Sequence, residues 1–231
     1  MIFKEGEDIF NQPRFTTYQE KHIGLLDASI ILVGEKLERE RRQREMESKV
    51  GETIPNVTFK TRVRNNALEG PNPFEWKDMT TKDYFGGKRV VLFSLPGAFT
   101  PTCSTKQLPG FEAAFNDFKE KGIDEIYCMS VNDAFVMNAW AKQQELKNVK
   151  VIPDGNGEFT KGLNMLVQKE NLGFGTRSWR YAAIIDDCEI THWFQEPDRI
   201  DNAEKDPYGQ TTPRNVLHAL KKKPLLSFEI K

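Results

Sequence analysis

Val90-Val-Leu-Phe-Ser-Leu95 is a short, continuous apolar run that follows Gly86-Gly87 and leads straight into Pro96-Gly-Ala-Phe-Thr-Pro-Thr-Cys103. A run of this length without polar alternation reads as a strand buried on both faces, as in a sheet covered by helices on each side. The next segment turns helical: Phe111, Ala114, Phe115 and Phe118 fall at i, i+3, i+4 and i+7, and Gly122 is placed to cap the helix end. Pro109-Gly110 is expected to kink or break the connection between this helix and the turn that holds Cys103.

Outward from this unit the pattern repeats. Ile126 to Val131 reads as a second buried strand, followed by a helix from about Asp133 to Leu146 that carries Phe135, Val136, Ala139 and Trp140. Val149 to Ile152 makes a third strand, ended by Pro153-Asp154-Gly155, and Phe159 to Val167 reads as a helix. Tyr181 to Ile185 and Glu189 to Phe194, separated by Asp186-Asp187-Cys188, suggest an antiparallel hairpin. Asp206-Pro-Tyr-Gly209 is loop material before a last helix around Thr212 to Lys222. Upstream, Val57 to Val63 is extended and is followed by a polar turn region through Pro71 and Pro73. The order β-α-β-α-β-α-β-β-α implies an α/β fold with a mixed central sheet, helices on both faces and right-handed crossovers. A thioredoxin-like arrangement satisfies it.

Three segments are expected: a helical extension over residues 1–49, the α/β domain over 50–225 and a tail over 226–231. Ser29 to Lys49 is rich in helix formers and reads as one helix, with Glu35–Arg39, Glu38–Arg42, Glu40–Arg44 and Glu45–Lys49 each acid-then-base at i,i+4. The interleaved glutamates nearly cancel Arg39, Arg41, Arg42 and Arg44, which makes this a solvated face rather than a basic anchor. Ile23, Leu25, Leu26, Ile30, Ile31, Val33 and Leu37 must bury, either on the main domain or against a second subunit.

The 231 residues carry 33 basic and 34 acidic side chains, a formal net charge of −1, which leaves no excess of positive charge for nucleic acid or anionic lipid. No apolar run approaches the roughly 20 residues of a membrane span. Glu5, Glu7 and Asp8 stand where a targeting peptide would be basic, so a cytoplasmic protein is expected. Cys103, Cys128 and Cys188 are an odd number at wide spacings, unlike a secreted disulfide framework, and imply a reducing compartment. None of His22, His192 and His218 stands at ligand spacing from a cysteine, so no metal or other cofactor is expected.

A cysteine attacks as its thiolate, yet at an ordinary pKa of about 8.5 only a few per cent is ionised at neutral pH. Cys103 follows a buried strand at the start of a helix, where free N–H groups and the macrodipole favour an anion by about 0.3–2 kcal/mol. Bringing a thiol to pKa 6 takes roughly 3.4 kcal/mol at 1.36 per unit. The helix end alone is too weak, so a cation should stand nearby. Arg177 and Arg180, at the entrance to the Tyr181 strand, are the candidates. Thr100 adds a hydroxyl able to accept from one group and donate to another.

Pro96-Gly-Ala-Phe-Thr100-Pro-Thr-Cys103 closely resembles the Pro-x-x-x-Thr-x-x-Cys signature of the peroxiredoxins. Thr105 to Phe111 and Cys128 to Val136 are similar to the subfamily of type II and type V enzymes and peroxiredoxin–glutaredoxin hybrids; the likeness covers about residues 50 to 223. It implies that Cys103 is the peroxidatic cysteine, that Pro96 shields the pocket, that Thr100 positions the peroxide and that Arg180, rather than Arg177, is the family arginine. Hydrogen peroxide and organic hydroperoxides would be the substrates and a cysteine sulfenic acid the product. A homodimer is also implied. The sequence departs from members that resolve this acid internally, because Tyr208 to Pro213 holds no cysteine. A one-cysteine cycle recycled by glutathione with glutaredoxin, or by thioredoxin, follows, with Cys188 as the competing internal candidate. Cys128, inside an apolar strand, reads as a buried hydrophobe. A peroxide sensor that relays oxidation to a partner protein shares the first step; a binding or holdase module would have no need of a poised thiolate.

Overall fold

In a computed structural model, residues 32–34, 36–38, 48–71 and 73–220 are described. The chain divides into two units, Met1–Ser48 and Lys49–Lys231. In the first, residues 32–34 and 36–38 are helical and expose Leu32, Val33 and Leu37. Ser48 and Lys49, at the end of the expected helix, are not helical. The remainder of that helix, its acid–base pairs as pairs, Ile23, Leu25, Leu26, Ile30, Ile31 and the tail 226–231 lie outside the described residues.

The second unit opens with β1 (Thr58–Arg64) paired antiparallel with β2 (Phe74–Thr80), then α1 (Thr81–Phe85). Thr80 and Asp83 form a reciprocal capping box at the start of α1. β3 (Arg89–Ser94), β4 (Glu125–Ser130) and β5 (Lys150–Pro153) are mutually parallel, while β8 (Tyr181–Asp186) and β9 (Glu189–Gln195) complete the sheet in antiparallel sense. The sheet order is β5-β4-β3-β8-β9. The crossovers are α2 (Leu108–Ala113) with α3 (Phe115–Glu120), then α4 (Ala134–Gln143); α5 (Glu158–Gly162) and α6 (Pro213–Leu220) complete the helices. Asp133 caps α4 by accepting from the N–H groups of Phe135 and Val136. The expected mixed sheet covered on both faces is the observed architecture.

Strand periodicity sorts the core. Val90 and Leu92 of β3 join Phe85 of α1 and Phe159 of α5 on one face, whereas Val91 and Phe93 join Phe111, Phe118, Trp140, Val216 and Cys103 on the other. Cys103 therefore belongs to the face covered by both crossover helices. Phe111 stacks on Phe93 with ring centroids 4.1 Å apart, which fixes α2 over the middle of the sheet.

Two local expectations give way, and one strand was not foreseen. Pro109-Gly110 does not break the helix: Cys103–Gln107 form a π-helical turn that runs directly into α2. The N–H of Leu108 reaches back to the carbonyl of Cys103, so the widened turn precedes the residue that has no N–H to give, and Pro109 sits in the first turn of α2. The segment Phe159 to Val167 is helical only to Gly162; Asn164 takes a left-handed φ of 54°, and Leu166–Gln168 form β6, paired with β7 (Thr176–Ser178). The polar turn region through Pro71 and Pro73 is followed by β2, a strand not named from the sequence because its alternation is weak on a two-stranded ribbon open to solvent.

Candidate active site

β3 ends at Ser94, opposite Tyr181 at the start of β8. One register point thus brings together the loop leaving β3 and the residue just before β8, which is Arg180. The loop is tightly packed. Pro96 and Gly97 are buried, and a Cβ added at Gly97 would meet Thr100 Cγ2 at 3.3 Å. Asn132 Oδ1 accepts from the N–H of Ala98 at 3.0 Å, and Phe99 takes a left-handed φ of 62° with its ring exposed. The loop then enters a helix at Pro101, the first helical position, where a missing N–H costs nothing. Cys103 falls in that first turn, and its side chain is completely buried.

Arg180 Nη1 donates to Cys103 Sγ at 3.5 Å. The guanidinium is itself only 1 % exposed, and the other donors are all directed: Nη1 also to Gln107 Oε1, Nη2 to both Asp206 oxygens at 2.6 Å each, and Nε to the Pro207 carbonyl at 3.1 Å. The Tyr208 ring lies 5.6 Å from the guanidinium. Burial pulls the arginine pKa down, but Cys103 and Asp206 more than offset it, and Arg180 stays above its ordinary value. An anion at Cys103 therefore has an oriented, fully charged partner. Thr100 donates its hydroxyl to the Gly97 carbonyl at 2.8 Å. Its proton is used within the loop and its lone pairs remain as acceptors, so of the two roles expected, accepting from one group and donating to another, the donor goes to the Gly97 carbonyl.

Arg177, the other candidate, is elsewhere. It donates from Nη1 to the Val131 carbonyl at 2.9 Å and from Nε to the Phe174 carbonyl at 3.0 Å, bracing the back of the loop. Cys128, opposite Phe93 in the sheet, is wholly buried, and burial pushes its thiol well above the ordinary value. Cys188 lies at the other end of β8, in a two-residue turn with Asp187; both have positive φ, as a tight hairpin turn of this kind requires. The six residues of β8 at ~3.3 Å each put it about 20 Å from the Arg180 end.

Sequence reasoning missed Gln107, Asp206 and Glu196. Gln107 is one turn beyond Cys103, fully buried, with its amide nitrogen unpartnered. Helical spacing would have found it had the helix been read through Pro109. Glu196, 1 % exposed, accepts from the N–H groups of Gly209 and Thr211 and from the Thr211 hydroxyl, which pins the loop that carries Asp206. Asp206 stands 26 residues from Arg180 in a polar loop, and no sequence pattern marks it.

A loop with a buried cysteine at the end of a central strand, beside an arginine that immediately precedes the neighbouring antiparallel strand, is the arrangement of a thioredoxin-like thiol enzyme. The Redoxin family profile matches residues 49–208. A peroxiredoxin of Rhizobium etli is 63 % identical over 168 residues, covering 73 % of this chain and 94 % of that one. The hybrid peroxiredoxin hyPrx5 of Haemophilus influenzae is 47 % identical over 175 residues, covering 76 % and 67 %. In the crystal structure of a 1-Cys peroxiredoxin, the antioxidant protein of Plasmodium falciparum, the match has a TM-score of 0.69 at 42 % identity, covering 74 % of this chain and 98 % of that one. The chain belongs to the Redoxin family and, within it, to the peroxiredoxins, which are thiol peroxidases. Among the described residues no helix is long and apolar enough to cross a membrane.

Proposed function

We propose that this peroxiredoxin reduces hydrogen peroxide and organic hydroperoxides in a one-cysteine cycle carried by Cys103 and recycled by glutathione with glutaredoxin. The observation that carries the reading is the 3.5 Å approach of the buried Arg180 guanidinium to Cys103 Sγ. The thiolate attacks one peroxide oxygen along the O–O axis. An S–O bond forms as the O–O bond breaks, sulfur loses two electrons to the peroxide, and the departing oxygen takes a proton to leave as water or alcohol. Arg180 counters the charge that moves onto the oxygens, Thr100 accepts from the peroxide O–H, and Pro96 keeps water out of the pocket. The first reducing thiol then displaces the sulfenic oxygen as water, leaving a mixed disulfide. A second thiolate takes over the reductant's sulfur and releases the Cys103 thiolate.

The surroundings of the other two thiols support the one-cysteine cycle. Cys128 is fully buried with its thiol held neutral, and Cys188 is at the far end of β8. The likeness of Thr105 to Phe111 and Cys128 to Val136 to the peroxiredoxin–glutaredoxin hybrids supports the glutaredoxin partner. We further propose a cytoplasmic homodimer, in which exposed Phe99, at the rim of the loop, supplies apolar contact area. Peroxide turnover of the wild type and of Cys103→Ser, Cys128→Ser and Cys188→Ser, each with thioredoxin, with glutaredoxin and glutathione, and with glutathione alone, tests the reading. Turnover is expected with glutaredoxin and glutathione in all but Cys103→Ser. Rapid oxidation of Cys103 that none of the three systems reverses would instead make the protein a sensor.

A further inference from the structure

We propose that Asp206 is a positioning residue, the permanent counter-anion that keeps Arg180 aimed at Cys103 while the sulfur carries no charge. The inference rests on the cycle above, in which the thiolate is lost on oxidation and is still missing in the mixed disulfide with the reducing thiol. At 1 % exposure the Arg180 guanidinium has no water to fall back on, and a buried charge left without a partner is strongly unfavourable. Its remaining acceptors, Gln107 Oε1 and the Pro207 carbonyl, are neutral. Among the described residues, Asp206 is the only carboxylate paired with Arg180, and the pairing is two-oxygened at 2.6 Å.

The division of labour is geometric. Nη2 is committed to Asp206 and Nη1 to the cysteine side, so the carboxylate fixes the plane of the guanidinium and thereby the direction of Nη1. Asp206 is 40 % exposed, yet its loop is anchored from below by Glu196 and from the side by Asn215 Nδ2, which donates to the carbonyls of Gly209 and Gln210. An ordinary half-exposed ion pair would contribute equally whatever the state of Cys103. A counter-anion that replaces the thiolate contributes more when the thiolate is gone.

That difference is measurable as a double-mutant cycle in thermal stability, with Cys103→Ser as the uncharged stand-in for the modified cysteine. Melting temperatures of the reduced wild type, Asp206→Asn, Cys103→Ser and the double variant are compared at pH 8. Asp206→Asn is expected to lower Tm by at least ~4 °C more in the Cys103→Ser background than in the wild-type background. Equal losses in the two backgrounds, or a larger loss with Cys103 present, would overturn the proposal. If Asp206→Asn does not fold, Asp206→Glu serves: its extra methylene displaces the carboxylate from Nη2, so its Tm loss should be larger in the Cys103→Ser background, and equal losses in the two backgrounds overturn the proposal. The cycle needs no peroxide or reductant. Failure of turnover with glutathione would therefore strike the one-cysteine reading, whereas an uncoupled cycle strikes Asp206 alone.

Discussion

At the scale of the residue, the proposed nucleophile is a buried thiol beside one arginine whose direction is fixed by its neighbours. Replacing Arg180 by Met removes the only cation hydrogen-bonded to Cys103 among the described residues, and the second-order rate of peroxide attack should fall by ~10²–10³-fold in stopped-flow single turnovers. Lys at this position keeps the charge but cannot serve Cys103, Asp206 and Pro207 at once, and it should recover only part of that rate. Gln107→Leu keeps the volume and removes the neutral acceptor on Nη1; a ~10-fold slower attack is expected, and an unaltered rate would show that Asp206 and Pro207 suffice to aim the guanidinium. Cys103, Thr100 and Pro96 could be named as candidates from one eight-residue stretch and Arg180 from its place before an apolar strand and the family likeness; the fold brings Arg180 Nη1 to 3.5 Å from Cys103 Sγ. Asp206 and Glu196 could not be named, because their partners are brought close by the fold rather than by the chain.

At the scale of the element, the π-turn at Cys103–Gln107 is the piece that periodicity could not reveal, whereas Asp206–Gly209 reads as loop from its own residues and is loop. A pattern of 3.6 has no means of reporting a single widened turn, and the usual meaning of Pro109 pointed the wrong way. The same limit hid the break at Asn164, since Leu166 and Val167 are apolar and suit either a helix or the β6–β7 ribbon. Glu196→Ala should release the loop: a faster amide exchange confined to about residues 206–211 is expected, with a Tm loss of several degrees. Glu112 ties α2 to the approach to β5 by accepting from the N–H groups of Lys147, Asn148 and Val149. Burial tends to raise its pKa, but these bonds outweigh it and hold the carboxyl below its ordinary value. A depressed carboxyl stabilises the fold above its unfolded pKa and loses that contribution as pH falls through the lower, folded value. Glu112→Gln should therefore lower Tm at pH 7, with the difference from wild type shrinking as pH drops below the ordinary glutamate pKa of about 4.3. A constant difference from pH 7 to about pH 3 would exclude the linkage.

At the scale of the molecule, two cores on opposite faces of one sheet divide the work. The face with Phe59, Phe85 and Phe159 holds no part of the cysteine loop and is scaffold; the other holds Cys103 against Phe93, Phe111 and Trp140. Trp140 Nε1 donates to the Ser104 hydroxyl at 3.1 Å, so the crossover helix after β4 also braces the cysteine turn. This architecture was legible from alternating buried runs and helical stripes, because burial on two faces leaves a strong mark on composition. If Cys103 alone performs the oxidation, the other two thiols are dispensable for it. The decisive measurement is a stopped-flow reaction of hydrogen peroxide with the Cys128→Ser/Cys188→Ser variant, whose sole thiol is Cys103, followed by intact-mass analysis. Oxidation at the wild-type rate and a single added oxygen per chain are expected, with Cys103→Ser inert under the same conditions. Peroxide reduction by Cys103→Ser, or loss of the reaction in the variant that keeps only Cys103, would refute the assignment.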